Sequence, residues 1–298
     1  MSQETEQREF LFDDTDFQQI RKMLYAHAGI NLTERKKDMV YSRLSRRLRF
    51  TGHRTFKDYL AFLERSGEEE WLAFVNSLTT NLTSFFREPH HFPILAEHVL
   101  SLGNRLIRLW CSASSTGEEA YTMAMTVVDA FGSFDPPVQI VATDIDTNVL
   151  NTAQAGIYSL HRLEKLPRES LNRFFLKGKG QREGYARVRK EIRDLISFRQ
   201  LNLQDARWPV SGPFDAIFCR NVMIYFDKPT QYKILNRFAS LLEPHGLLFA
   251  GHSECLHFAA DLFKLRGKTV YELSPKARGA LPGRPRPPIP QPPKPSMV

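Results

Sequence analysis

The sequence predicts an α/β protein in two parts, a small all-helical domain followed by a doubly wound parallel sheet with a small antiparallel β insertion. Three observations predict it. Apolar residues recur at helical spacing from residue 16 to about residue 80. From residue 105 short apolar runs alternate with amphipathic stretches, the order of strands and helices in a sheet covered on both faces. Between Ile157 and Arg199 that rhythm breaks around a glycine-punctuated segment.

In the helical domain, residues 16–80, the periodic stretches are FQQIRKMLY, ERKKDMVYSRLSRRLRF, FKDYLAFLE and EEEWLAFVNSL. In the second, Val40, Leu44 and Leu48 line one face with Tyr41, while Arg43, Arg46, Arg47 and Arg49 fan across the other. Residues 81–95 read as a linker. The α/β domain, residues 96–274, opens with the strand LIRLWCS and the helix GEEAYTMAMTVVDAF. VQIVAT then ends at Asp144, FDAIFCRN precedes a helix begun by Asp227 and Pro229, and GLLFAGHS follows that helix. The insertion spans about 157–200, where the glycines of GKGQREGYARVRKEI mark turns between short strands. Residues 275–298 hold half of the 18 prolines and are expected to be a disordered, partly polyproline-II tail.

A chain of 298 residues with 42% hydrophobic and 25% charged residues has the composition of a water-soluble globular protein. No run approaches the ~18 apolar residues of a membrane span, and the acidic, polar start does not resemble an export signal. Cys111, Cys219 and Cys255 form neither a disulfide framework nor a paired metal motif, which suits a reducing cytoplasm. His90, His91, His252 and His257 with Cys255 repeat no zinc-site spacing, so no metal is expected. Cys111 and Cys219 fall on core strands, where thiols are inert.

The net charge of +8 is unevenly spread: zero over residues 1–80, +3 over 81–274 and +5 over 275–298. These sums hide a local +8 between Arg21 and Arg65 and +7 between His161 and Gln200. Both basic regions are candidate docking surfaces for an acidic partner. A calculated pI of 9.4 keeps nucleic acid open as an alternative substrate, although no basic stripe is interleaved with aromatics. An adaptor that docks through the tail is a third reading.

In an open α/β sheet ligands bind at the carboxyl ends of strands. After LIRLWCS comes the small-residue turn Ala113 to Gly117 followed by Glu118 and Glu119, and Asp144 terminates the next strand, where a carboxylate can accept ribose hydroxyls. The turn lacks the glycine pattern of a diphosphate cradle, and two glutamates at the helix start would repel a diphosphate. A nucleoside cofactor with a cationic end suits them, with Glu118 holding an ammonium or sulfonium. Helix N-terminal charge stabilisation explains either glutamate alone.

The strings TTNLTSFFREPHHF, ASSTGEEAYTMA, ATDIDTNVL, LNLQD, FDAIFCRNVMIYFDKPTQ and GLLFAGHSE, in this order, resemble the chemotaxis receptor glutamate methyltransferases, the CheR family, over residues 16 to 274. The resemblance implies a Rossmann-like methyltransferase domain that transfers a methyl group from S-adenosylmethionine to glutamates on the cytoplasmic helices of chemoreceptors, leaving S-adenosylhomocysteine. It assigns cofactor contacts to Asn81, Thr83, Arg87, Glu118, Asp144, Asn202, Leu203, Arg220 and Asn221, and places Tyr225 near the transferring methyl as an orienting group. It implies that Arg43, Arg46, Arg47 and Arg49 dock the receptor. In some members of the family the antiparallel insertion takes a receptor's C-terminal pentapeptide as an added strand, and the stretch Gly178 to Arg189 resembles those members. A cytoplasmic monomer recruited to membrane receptor arrays, with no nucleic-acid partner and no membrane insertion, completes the expectation.

Overall fold

The computed structural model describes residues 8–280. Four helices form the N-terminal domain: α1 (Asp14–Ala28), α2 (Lys37–Thr51), α3 (Phe56–Arg65) and α4 (Glu68–Leu78). Asp13 starts α1 through a reciprocal capping box with Asp16, and Gly29 ends it in the left-handed region. Phe17, Ile20, Val40, Leu44, Leu48, Tyr59 and Phe74 are fully buried between the helices, as the period of α2 predicts.

The arginine face of α2 is not the free surface expected. Arg47 makes a two-point pair with the buried Glu70, whose carboxylate also accepts the Tyr59 hydroxyl at 2.8 Å. Arg49 pairs with Glu9 at 2.5 Å, and Arg43 donates to the carbonyls of Ser77 and Thr79 where α4 ends. The groups that answer these arginines, two acids and two carbonyls, lie far from α2 in sequence, so spacing along α2 could not reveal them. Among the described residues only Arg46 of the four has no such partner.

The second domain begins with α5 (His91–Ser101), so the extended linker stops at residue 90 rather than 95. There follow β1 (Ile107–Cys111), α6 (Glu118–Phe131), β2 (Val138–Asp144) and α7 (Thr147–Ala155). The insertion comprises β3 (Ile157–Ser159), α8 (Leu160–Leu163), α9 (Arg168–Phe174), β4 (Phe175–Lys177), β5 (Tyr185–Val188) and α10 (Lys190–Asp194). The chain then returns through β6 (Ile196–Gln200), β7 (Phe214–Cys219), α11 (Lys228–Leu241), β8 (Leu242–Ala250), β9 (Phe263–Gly267), β10 (Val270–Leu273) and α12 (Pro275–Ala280).

The main sheet has the order β6-β2-β1-β7-β8-β10-β9, parallel through β8, with β10 antiparallel to both its neighbours. The insertion is a separate antiparallel sheet of order β3-β5-β4. Its expected boundary at 200 moves back, because residues 196–200 pair with β2 as an edge strand of the main sheet. Residues 275–280 form a short helix where a disordered tail was expected. The rest of that tail lies outside the described residues.

Alternation along the strands builds two cores. Leu109 and Cys111 of β1 with Ala216 and Phe218 of β7 face α5 and α6, while Trp110, Ile217 and Cys219 face the cluster around Phe238 of α11. No helix among the described residues is long and apolar enough to cross a membrane.

Candidate active site

The carboxyl ends of β1, β2 and β7 open onto a cavity of about 330 Å³, closed by the linker and by residues 28–39 of the helical domain. The switch point of the sheet order at β1 and β7 produces this crevice, because successive connections leave on opposite faces. The turn after β1 is held tightly. Gly117 has φ 98°, and a β-carbon there would meet that of Ala153 at 2.8 Å and the Tyr158 hydroxyl at 3.0 Å. Tyr158 donates that hydroxyl to the Thr116 carbonyl at 2.6 Å, so the insertion braces this turn.

Asp144 lines the cavity as expected and fastens this turn. Its carboxylate accepts the backbone N–H of Ser115 at 2.8 Å and of Asp146 at 3.0 Å. Burial raises its pKa to about 6, more than those hydrogen bonds lower it.

Of the two glutamates, Glu119 and not Glu118 lines the cavity. Glu118 is fully buried outside the cavity lining, where its carboxylate lies 2.5 Å from Arg162 and accepts the Thr116 hydroxyl at 2.7 Å. Glu119 lines the cavity, pairs with Arg220 at 2.8 Å and accepts the Cys111 thiol. Adjacent residues on a helix point about 100° apart, so sequence alone could not decide between them. Burial raises the pKa of both.

Arg220 lies between acids, with Glu119 on one side and Glu88 at 3.3 Å on the other, and donates to the Arg87 carbonyl. Its Nε is buried with no acceptor among the described residues. Asn221 and Tyr225 line the cavity beside it, and Tyr225 accepts the Asn31 N–H on its backbone carbonyl at 2.8 Å.

The linker contributes Asn81, Thr83 and Arg87 to the lining. The Asn81 amide donates to Asp146 at 2.8 Å, its carbonyl accepts the Ser115 hydroxyl at 3.0 Å, and Arg87 donates to the Leu82 carbonyl at 3.0 Å. Leu203 lines the cavity. Asn202 does not: its amide reaches the His27 carbonyl at 3.0 Å, clasping the helical domain.

The sequence reading missed two carboxylates. Asp146 accepts Thr79 and Asn81 on one oxygen, at 2.8 Å each, while the other caps the start of α7. An acid directly before a helix is a visible cap signal, but the linker it anchors is 65 residues away in sequence. Glu254, just past β8, is 4% exposed and gathers the backbone N–H groups of Asn221 at 2.9 Å, Met223 at 2.8 Å and Gly251 at 2.6 Å. Gly251 must lack a side chain, since a β-carbon would meet the Asn221 amide nitrogen at 2.6 Å.

Among the described residues Glu88, His90 and His91 bring three ligand-type atoms within 4.8 Å of one another. A cation there would face the Arg220 guanidinium, which already pairs with Glu88, and Glu88 also accepts the His252 N–H. Cys111 and Cys219 are buried, and burial raises both thiols well above their ordinary range.

Comparison with known proteins places this cavity. Residues 15–79 match the model of the CheR methyltransferase all-alpha domain, and residues 81–272 that of the CheR methyltransferase SAM binding domain. The chain is 54% identical over 266 residues to chemotaxis protein methyltransferase 2 of Pseudomonas aeruginosa, covering 89% of this chain and 95% of that protein. It is 51% identical to the chemotaxis protein methyltransferase of Escherichia coli, covering 88% of this chain and 91% of that one.

Proposed function

The chain belongs to the CheR methyltransferase family, and on that premise we propose that it esterifies glutamate side chains on the cytoplasmic helices of chemoreceptors. It is an S-adenosylmethionine-dependent methyltransferase of chemotaxis. The observation that carries the reading is the joined cavity, in which an acid at the end of β2, a carboxylate at the start of α6 and two arginines meet apolar walls.

The donor set fits the cofactor. Glu119 would hold the cationic α-ammonium end, Arg87 and the unsatisfied Nε of Arg220 the carboxylate, Asp144 the ribose hydroxyls, and Leu201, Leu203 and Ile145 the adenine. No glycine-rich phosphate cradle is needed. When bound, S-adenosylmethionine supplies a sulfonium methyl, whose C–S electron pair stays on sulfur as the substrate oxygen takes the carbon.

A substrate glutamate with a reference pKa of about 4.3 is already anionic at neutral pH, so no protein group has to remove a proton. The chain's work is therefore orientation and exclusion of water. Asn221 and Tyr225, held by the turn after β7, would orient the incoming carboxylate. Docking of an acidic receptor helix on α2 would use Arg46, which has no partner among the described residues, and Arg49, whose pair with Glu9 lies at the surface, while Arg47 is held by the buried Glu70. The free edge of β4, next to β5 in the insertion, would take a receptor's C-terminal peptide as a further strand. The test is incubation with methyl-labelled cofactor and receptor cytoplasmic fragments. Label released as methanol by mild base is the expected result, and base-stable label would contradict an ester.

A further inference from the structure

Of the large apolar side chains left exposed among the described residues, two border the active cavity: Leu82 on the linker, 80% exposed, and Ile224 on the turn after β7, 55% exposed. Neither joins any of the apolar cores. Each sits between residues the site uses, Leu82 between Asn81 and Thr83, and Ile224 next to Tyr225. A third part of the chain reaches the same cavity with a cation. Lys36 of the helical domain lines it with no ion-pair or side-chain hydrogen-bond partner among the described residues, whereas Lys37 is spent on Asp14 at 2.5 Å.

We propose that Leu82, Ile224 and Lys36 form the rim that reads the substrate helix. The two aliphatic side chains cover apolar residues one turn from the target glutamate, and Lys36 faces the acidic residues beside it. The chemistry selects the occupant. A free glutamate would leave both aliphatic groups in water, and a nucleic acid strand would bring phosphates against leucine and isoleucine. An amphipathic helix presents both kinds of group, because positions three and four apart share a face. Exposed single leucines are ordinary, but a pair flanking the entrance to a catalytic cavity beside an unpaired cation is a local pattern. This inference rests on the methyl-transfer reading and names the surface by which that site recognises its substrate.

The test compares Leu82→Ser, Ile224→Ser and Lys36→Gln with wild type, and with Leu100→Ser as a control at a 49% exposed leucine outside the cavity lining. Cofactor affinity is measured by calorimetry and KM with receptor cytoplasmic fragments. Each aliphatic variant is expected to raise the receptor KM by about five- to tenfold, the loss of one buried side-chain contact, while cofactor affinity stays unchanged. Lys36→Gln should raise KM more at low salt than at high salt. A parallel loss of cofactor affinity would assign these side chains to the cofactor pocket and overturn the proposal, as would a KM that does not move or that moves equally in Leu100→Ser. If wild type itself transfers no methyl to the fragments, the parent reading fails; if it does and the rim variants match it, only this inference fails.

Discussion

Two buried carboxylates carry the local geometry of the site. Glu254 converts a chain reversal, with Asn221 at φ 58°, into a fixed platform by satisfying three convergent N–H groups that would otherwise be buried without partners. Glu254→Gln replaces one acceptor oxygen with an amide that opposes those donors. We expect kcat/KM for receptor fragments to fall by about tenfold or more, with the larger share in kcat, because the turn positions Asn221 and Tyr225. A loss confined to thermal stability, with kcat intact, would contradict that role. Asp144 gives a pH signature. Its folded pKa is raised to about 6 from an ordinary value of 3.8, so it is fully charged above about pH 7 and becomes protonated as pH falls through 6. A protonated acid loses acceptor capacity, so cofactor affinity should decline as pH drops from 7 to 5, and Asp144→Asn should bind more weakly with a shallower decline. Linkage runs the other way for folding: the raised pKa favours the folded state in acid and costs it stability as pH rises between those values. Calorimetric titrations across this range check the binding prediction.

At the scale of elements, the linker is the part whose structure depends least on its own sequence. Residues 79–90 form no helix or strand of the sheets, and their shape comes from what they touch: Asp146 takes Thr79 and Asn81, Ser115 takes the Asn81 carbonyl, and Arg220 takes that of Arg87. Asp146→Ala removes these two linker bonds together with the cap of α7. It should destabilise the protein by about 2–4 kcal/mol, combining a lost cap with buried donors left unpaired. Urea unfolding read by circular dichroism measures this, and a cost near that of a surface substitution would show that the linker is held elsewhere. The same distinction explains what was legible in the sequence. Short apolar runs in LIRLWCS and FDAIFCRN and period 3.6 in the helices are local signals, and they located β1, β7, α2, α6 and α11. Asp144 was visible because it ends a strand. The placement of Glu119 rather than Glu118 in the cavity lining, the partners of Arg43, Arg47 and Arg49, the bond from Asn202 to His27 and the bonds made by Asp146 and Glu254 all depend on contacts between distant segments. A resemblance carried Arg87 and Arg220 into the site where periodicity could not.

The whole molecule is a clasp across the cavity. The Tyr25 hydroxyl donates to Asp227 at 2.6 Å, the Asn202 amide to the His27 carbonyl at 3.0 Å, and the Asn31 N–H to the Tyr225 carbonyl at 2.8 Å. Gly29 packs so tightly under Gln204 that a β-carbon would lie 1.9 Å from its amide nitrogen. These contacts join the end of α1 and the segment after it to the two turns that follow β6 and β7. Since Ala28 to Met39 supply one wall of the cofactor cavity, a molecule that binds there binds the closed arrangement and stabilises it by mass action. Loosening the clasp should therefore weaken cofactor binding, although neither Tyr25 nor Asn202 is among the residues that line the cavity. For Tyr25→Phe combined with Asn202→Ala we expect about three- to tenfold weaker binding, the low end for two solvent-accessible hydrogen bonds. In wild type, saturating cofactor should slow amide exchange at residues 30–33, and the double variant should need more cofactor to reach the same protection. Equal affinity in the two proteins would mean that the helical domain is seated by its apolar contacts alone and that these hydrogen bonds set only its register.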